Sequence, residues 1–178
     1  MNEDYLSLHG KKSQNLKLNI YPSVDFREVL KTLNSIRLPE YLHDREGIKY
    51  AVLELLNNSL RAHRNKNVKR PVITTFNISD YNLKISIKDF GGGFDPKVLP
   101  YNLEDHPEQI DHTGLLFQEY QQKHNFLRFG MGILIAKKTF SHFKITFFDH
   151  NENPTDWESG NIYGTLIKAV AGEAGHGN

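Results

Sequence analysis

Asp89-Phe90-Gly91-Gly92-Gly93-Phe94 closes a stretch, Leu83 to Phe90, in which apolar and polar residues alternate, and this junction decides how the fold is read. Alternation with period 2 predicts a strand. Three successive glycines at its end exceed what an ordinary turn requires. Lacking a Cβ, they permit positive φ and let a ligand approach the backbone closely, while a buried Asp there can accept a hydrogen bond from the amino group of a base. A plain glycine-rich turn is the competing interpretation, so the junction takes its meaning from its surroundings.

Upstream, Val72 to Ser79 alternates in the same way and a short turn at Asp80 to Asn82 joins the two runs, which predicts a hairpin. Before the hairpin, Ile48, Val52, Leu55, Leu56, Ser59 and Leu60 recur on one helical face, and polar Asn65 to Arg70 closes that helix. Glu54 and Asn58 stand four residues apart on it and project together. A carboxylate can accept a proton or orient a hydroxyl, and an amide oxygen is a hard ligand suited to Mg²⁺. Any solvated helix face can offer such a pair, so alone it carries little. Leu16, Leu18 and Ile20 predict a half-buried strand ending at Tyr21-Pro22. Ser23 is placed to cap a following helix with Phe26, Leu30, Leu33 and Ile36 as its apolar stripe and Pro39 as its stop.

Downstream, Asp95 to Phe129 is irregular and polar, too long for an ordinary connection in a compact domain, and is predicted to be a functional lid with few apolar contacts of its own. Gly130-Met131-Gly132 then opens a helix reaching Phe140, whose unpaired N–H groups and dipole favour an anion such as a phosphate. A dinucleotide fingerprint is the alternative, but Lys123 to Phe129 makes a poor strand and the third glycine is missing. No P-loop occurs. Phe143 to Phe148 and Tyr163 to Val170 predict two more strands around the turn-rich Asp149 to Gly160. This order implies an α/β (α+β) two-layer sandwich with a mixed, largely antiparallel sheet covered by helices on one face.

The bulk composition fits one domain over residues 1–170, with the lid at about 95–129 and a frayed tail at 171–178. A formal net charge of +1 gives no global field for nucleic acid, so direct contact with it is not expected. The basic run Arg61 to Arg70 is read as a solvated helix end. No apolar run approaches the roughly 20 residues needed to cross a bilayer, and the N-terminus lacks the pattern of a signal peptide. With no cysteine in the chain, the expected setting is the cytoplasm and no membrane contact. His106, His112 and His124 lack metal-ligand spacing.

Taken together, the motifs resemble the Bergerat-type (GHKL, histidine kinase-like) ATPase and kinase superfamily. Glu54-x-x-x-Asn58 is similar to its asparagine box, Asp89-x-Gly91-x-Gly93 to its first glycine box, Gly130-Met131-Gly132 to its second, and Gly164-Thr165 to its terminal strand motif. The resemblance covers Leu16 to Val170 and rests on the order of the four motifs. It implies ATP and Mg²⁺ as cofactors. Asp89 would bind the adenine amino group with Thr165 assisting, Asn58 would hold the metal, Gly91, Gly93, Gly130, Met131 and Gly132 would surround the nucleotide, and Glu54 would be the catalytic carboxylate. Leu116-Phe117-Gln118-Glu119-Tyr120 loosely resembles the phenylalanine box of histidine-kinase lids.

Within the superfamily the chain is most similar to the anti-sigma factor serine/threonine kinases, which carry Glu where many histidine kinases have Asn. Their partners imply a regulatory protein here: a sigma factor, an anti-anti-sigma factor or a response regulator-like protein, with room for a homodimer. The lid is longer than theirs. His43-Asp44 is the nearest candidate for a histidine-kinase phosphoacceptor and lies inside the expected ATPase core. The alternatives are a histidine kinase-like catalytic domain in two-component signalling and a switch that binds ATP without transferring phosphate.

Overall fold

The structure, a computed structural model, describes residues 5–111, 113–123 and 131–172. Along the chain its elements are β1 (Leu6–Leu8), β2 (Lys11–Ser13), β3 (Asn15–Ile20), α1 (Phe26–Ser35), β4 (Ile36–Arg37) and α2 (Arg45–Asn65). Next come β5 (Val72–Ser79), β6 (Asn82–Asp89), α3 (Leu115–Lys123), α4 (Met131–Thr139), β7 (His142–Phe148), β8 (Pro154–Thr155) and β9 (Gly164–Gly172). The main sheet has six strands in the order β3-β5-β6-β9-β7-β8. Each of its pairs is antiparallel, so the expected mixture with parallel strands does not occur among the described residues.

Period-2 alternation explains why this sheet has one covered face. Phe76, Ile85 and Ala169 lie opposite one another across β5, β6 and β9, and all three are buried in one core with Leu55 and Leu56 of α2 and Ile133 of α4. A one-residue shift would turn every one of these side chains to solvent. On the open face Lys168 of β9 pairs with Lys144 of β7, and both are exposed. The β5–β6 hairpin turns through Asp80 and Tyr81, with φ of 51° and 58°. Two left-handed residues make the tight turn whose twist matches the flanking strands.

The predicted long helix is α2, and Ile48, Val52, Leu55, Leu56, Ser59 and Leu60 are all buried on it. Its N-cap is Asp44, which accepts the Gly47 N–H at 2.9 Å. α1 departs from expectation. Asp25, not Ser23, caps it by accepting the Glu28 N–H, and its buried stripe is Val29 and Leu33, while Phe26 is 50% exposed and Leu30 is also exposed. It ends before Pro39 because Ile36 and Arg37 leave the helix to pair with β1 in a second, three-stranded sheet, β2-β1-β4. β1 and β2 are too short to show a period and went unpredicted. The last strand also runs further than expected: Ala171 is buried in it and Gly172 pairs with Asn82, so the expected tail over 171–178 loses these two residues. The rest of that tail lies outside the described residues.

The segment from Asp95 onward is more structured than its polarity suggested. It contains α3, and Ile110, Phe117 and Leu134 form a small cluster apart from the main core, joined by Tyr101 and Met131. Tyr101 stacks on Phe117 with ring centroids 6.2 Å apart. The expectation of few apolar contacts is thereby corrected, since this cluster fastens the segment to α4. Residues 124–129 of the expected lid, with His112 and His124, are outside the described residues, as is Gly130. Among the described residues no helix is long and apolar enough to cross a membrane.

Candidate functional site

Three elements converge on one cleft because the topology places the end of β6 beside β9 and beneath α2. Asp89, the last residue of β6, pairs in register with Thr165 of β9. Both are buried. Ser59 of α2 reaches down from the covering helix and donates its hydroxyl to Asp89 Oδ2 at 3.0 Å, while the Gly91 N–H donates to Asp89 Oδ1 at 2.9 Å. Burial pushes the Asp89 carboxyl up to about 6, against the opposing pull of these two donors. A carboxylate has about four acceptor positions, so two bonds leave capacity for a ligand donor.

The glycines are required by close approach. A Cβ on Gly91 would stand 2.5 Å from the Ala62 Cβ of α2, and Gly93, at φ +69°, would press a Cβ to 2.9 Å from Ile162 Cγ2. Gly132 of α4 faces α2: a Cβ there would lie 3.1 Å from Glu54 Cβ and 3.2 Å from Asn58 Nδ2. The packing of α4 on α2 therefore brings Glu54 and Asn58 to the start of α4. The cleft itself is lined by Asn58, Ser59, Asp89, Gly91, Gly93 and Thr165 among polar and backbone groups, over an apolar floor of Leu55, Phe94, Ile133, Ile145 and Ile167. Such a lining, mostly apolar with a few convergent polar groups, is the usual composition of a small-molecule site.

Three expected residues, Glu54, Met131 and Gly132, do not join that wall. Glu54 is half-buried against Gly132, one helical turn beyond Asn58. Met131 turns its side chain into the Ile110–Phe117–Leu134 cluster, so only its backbone is available to a ligand. Gly130 lies outside the described residues.

Several side chains of the basic run expected to be solvated are engaged instead. Arg61 lines the cleft and donates from Nη2 to Asn58 Oδ1 at 3.0 Å. Arg64 holds the chain before α1 through Pro22 O and Val24 O, and the Arg70 guanidinium lies 3.7 Å from the centre of the Phe90 ring. The basic run Arg61 to Arg70 is therefore not simply a solvated face. Ser59 had a legible signal: a hydroxyl on a core-facing stripe requires a partner, because an unpaired buried hydroxyl costs about 1–3 kcal/mol. Arg61 had none, since its role depends on Asn58 being three residues away on the same helix and on the cleft beneath.

A metal held by protein alone would need several anionic or imidazole ligands, and no cluster of three or more such groups exists among the described residues. Asn58 offers a single amide oxygen. The donor set thus fits an ion such as Mg²⁺ only where phosphate oxygens and water supply the other ligands. The buried, partly satisfied Asp89 likewise fits a base bearing an amino group.

These features describe a cleft suited to a small molecule, carried by an antiparallel sheet and its covering helices. Residues 24–154 match the family described as histidine kinase-like ATPase domain, and the chain belongs to that family. The chain is accordingly an ATP-binding domain. No curated protein matches the chain.

Proposed function

We propose that the protein is a Mg-ATP-dependent serine/threonine kinase of the anti-sigma factor type, acting on a regulatory protein partner. The observation that supports this is the grouping of Glu54, Asn58 and Gly132 side by side, with Asn58 lining the cleft and Glu54 just beyond it, where a carboxylate can meet an incoming hydroxyl. In this reading Asp89 and Thr165 receive adenine, Gly91 and Gly93 let the base and ribose close on the backbone, and the start of α4 receives phosphate. Asn58 would ligate Mg²⁺, which when bound neutralises charge on the phosphates. Glu54 would accept a hydrogen bond from a Ser or Thr hydroxyl of the partner and orient it for in-line attack on the γ-phosphorus; the P–O bond to ADP breaks as the new one forms, and the hydroxyl proton passes to Glu54. His43 is a poor acceptor candidate, since it precedes Asp44, whose carboxylate is committed to capping α2.

One contact favours a second reading, a switch that holds ATP without transferring phosphate: Arg61 occupies the Asn58 oxygen that the metal would need. Incubation with γ-labelled ATP separates these readings. Acid-stable label on a sigma-factor-regulating partner is the expected result; acid-labile label would transfer the assignment to histidine phosphorylation, and tight nucleotide binding with no label on any partner would leave the switch.

A further inference from the structure

We infer that His63 is a positioning residue for the base pocket: as its Nδ1–H tautomer it fixes the Asp89–Gly91 backbone and so sets the preference for adenine over guanine. The inference rests on the nucleotide reading above and concerns a residue that contacts no ligand.

His63 lies on α2 one turn beyond Ser59 and is fully buried. Its Nε2 is 2.7 Å from the Phe90 amide nitrogen and its Nδ1 is 3.0 Å from the Arg70 carbonyl oxygen. An amide N–H can only donate and a carbonyl can only accept, so Nε2 must be bare and Nδ1 must carry the proton. Neither the other tautomer nor the imidazolium satisfies both partners. Burial holds the ring's pKa below its ordinary value, against the pull of the hydrogen bond to the Arg70 carbonyl and with a smaller push from the Arg70 charge, in keeping with a neutral ring.

The Phe90 amide is the peptide group attached to Asp89 itself. The next amide, that of Gly91, donates to the Asp89 carboxylate at 2.9 Å. The ring of His63 therefore holds the peptide about which the carboxylate is aimed. Other groups close around the same residue. The Arg70 guanidinium covers the Phe90 ring at 3.7 Å and Nη1 donates to the Tyr163 hydroxyl at 3.2 Å, while the Gly92 N–H donates to the Tyr163 carbonyl at 3.1 Å. α2, the segment before β5 and the segment before β9 thus grip one turn, and His63 is the member that reaches its backbone from the helix bearing Ser59 and Asn58.

A buried histidine with only a packing role would alter stability and nothing else. One that aims Asp89 alters selectivity, because adenine presents a donor to the carboxylate where guanine presents an acceptor, and that contrast depends on where the carboxylate stands. Three substitutions separate the two. His63→Gln can keep an acceptor toward the Phe90 N–H, His63→Asn can keep a donor toward Arg70 and loses the Phe90 bond, and His63→Leu loses both.

Titrating Mg-ATP and Mg-GTP into the wild type and each variant, well below each protein's melting temperature, gives the ratio of the two dissociation constants. The expected result is a fall of about tenfold or more in the preference for ATP in His63→Leu and His63→Asn, with His63→Gln within about threefold of wild type. If His63→Leu does not fold, the contrast between Gln and Asn carries the test. Equal weakening of both nucleotides in every folded variant, or no change, would overturn the inference. A wild type that binds no ATP would overturn the nucleotide reading instead, and would be seen before any variant was made.

Discussion

At the Asp89 end of the cleft the polar groups are buried and bonded to one another through two elements, whereas at the Glu54 end they are half-buried and supported by a helix start and a separate apolar cluster. Asp89 holds both Ser59 and Gly91, and His63 holds the peptide beside it. Glu54 and Asn58 rest against a glycine, and Asn58 accepts a hydrogen bond from the Arg61 guanidinium. The first end is built as part of the core and is formed without ligand. Under the proposed function the second is completed by phosphate, metal and a partner. Base recognition and phosphate chemistry should therefore fail separately, and each of the following perturbations tests whether they do.

The largest effect is expected from Glu54→Gln. Loss of a general base lowers turnover about a hundred- to ten-thousand-fold, while nucleotide affinity, governed by the other end, should stay within a few-fold of wild type. Asn58→Ala should instead weaken Mg-ATP binding itself. Parallel measurement of phosphoryl transfer and ATP affinity checks both; equal loss of affinity in the two variants would erase the distinction between the ends.

Asp89→Ala comes next. It removes the acceptor for a base and strands the Ser59 hydroxyl and Gly91 N–H, so a loss of about 1–3 kcal/mol, roughly 5- to 150-fold in ATP affinity, is expected. Calorimetric titration of the folded variant decides it, and unchanged affinity would show that the base does not sit at this end.

A third effect is the pH dependence of Asp89. Its folded pKa of about 6 lies above the ordinary 3.8, so between these values the folded protein holds the proton more tightly than the unfolded chain. Its contribution to stability without nucleotide is then fully present below about 4 and is lost as pH rises through about 6. Binding a base donor requires the carboxylate and has the opposite sign: ATP affinity should be level above about pH 7 and fall by up to about tenfold per unit below 6. Melting temperatures with and without Mg-ATP from pH 5 to 8 report both trends, and a nucleotide-induced increase in melting temperature that does not shrink toward pH 5 would contradict them.

The two ends also differ in how much of them could be read from the chain. The hairpin, α2 and the Asp89 junction were legible because local patterns specify them: alternation for β5 and β6, a long apolar stripe for α2, and three glycines in a place that needs them. His63 was not, since its partners Phe90 and Arg70 come from separate segments that only the fold brings together. α1 misled because Phe26 and Leu30 are apolar yet exposed, and apolar side chains on a surface break no rule that a sequence reader can apply. The lid was misjudged by averaging. Its overall polarity hid Ile110 and Phe117, which meet Leu134 from α4 and need no local period to do so.

That cluster supplies the smallest and most local prediction. Phe117 is buried with Ile110 and Leu134, apart from the core that holds the sheet, while its neighbours Leu115 and Leu116 are 70% and 72% exposed. Truncating a buried Phe in a main core costs about 3–5 kcal/mol of global stability. Here the lost contacts lie in the small cluster, which Tyr101 links to the main core, so Phe117→Ala is expected to release α3 from α4 while leaving β5 and β6 unchanged. Hydrogen exchange would show this as faster exchange at the α3 amides, unaltered protection in the sheet and a change of only a few degrees in melting temperature. ATP affinity should drop less than in Asp89→Ala, because no described residue from 95 to 129 lines the cleft that holds Asp89. Faster exchange spread evenly through β5 and β6 would mean that the lid cluster is continuous with the core, and the separation of the two ends would have to be abandoned.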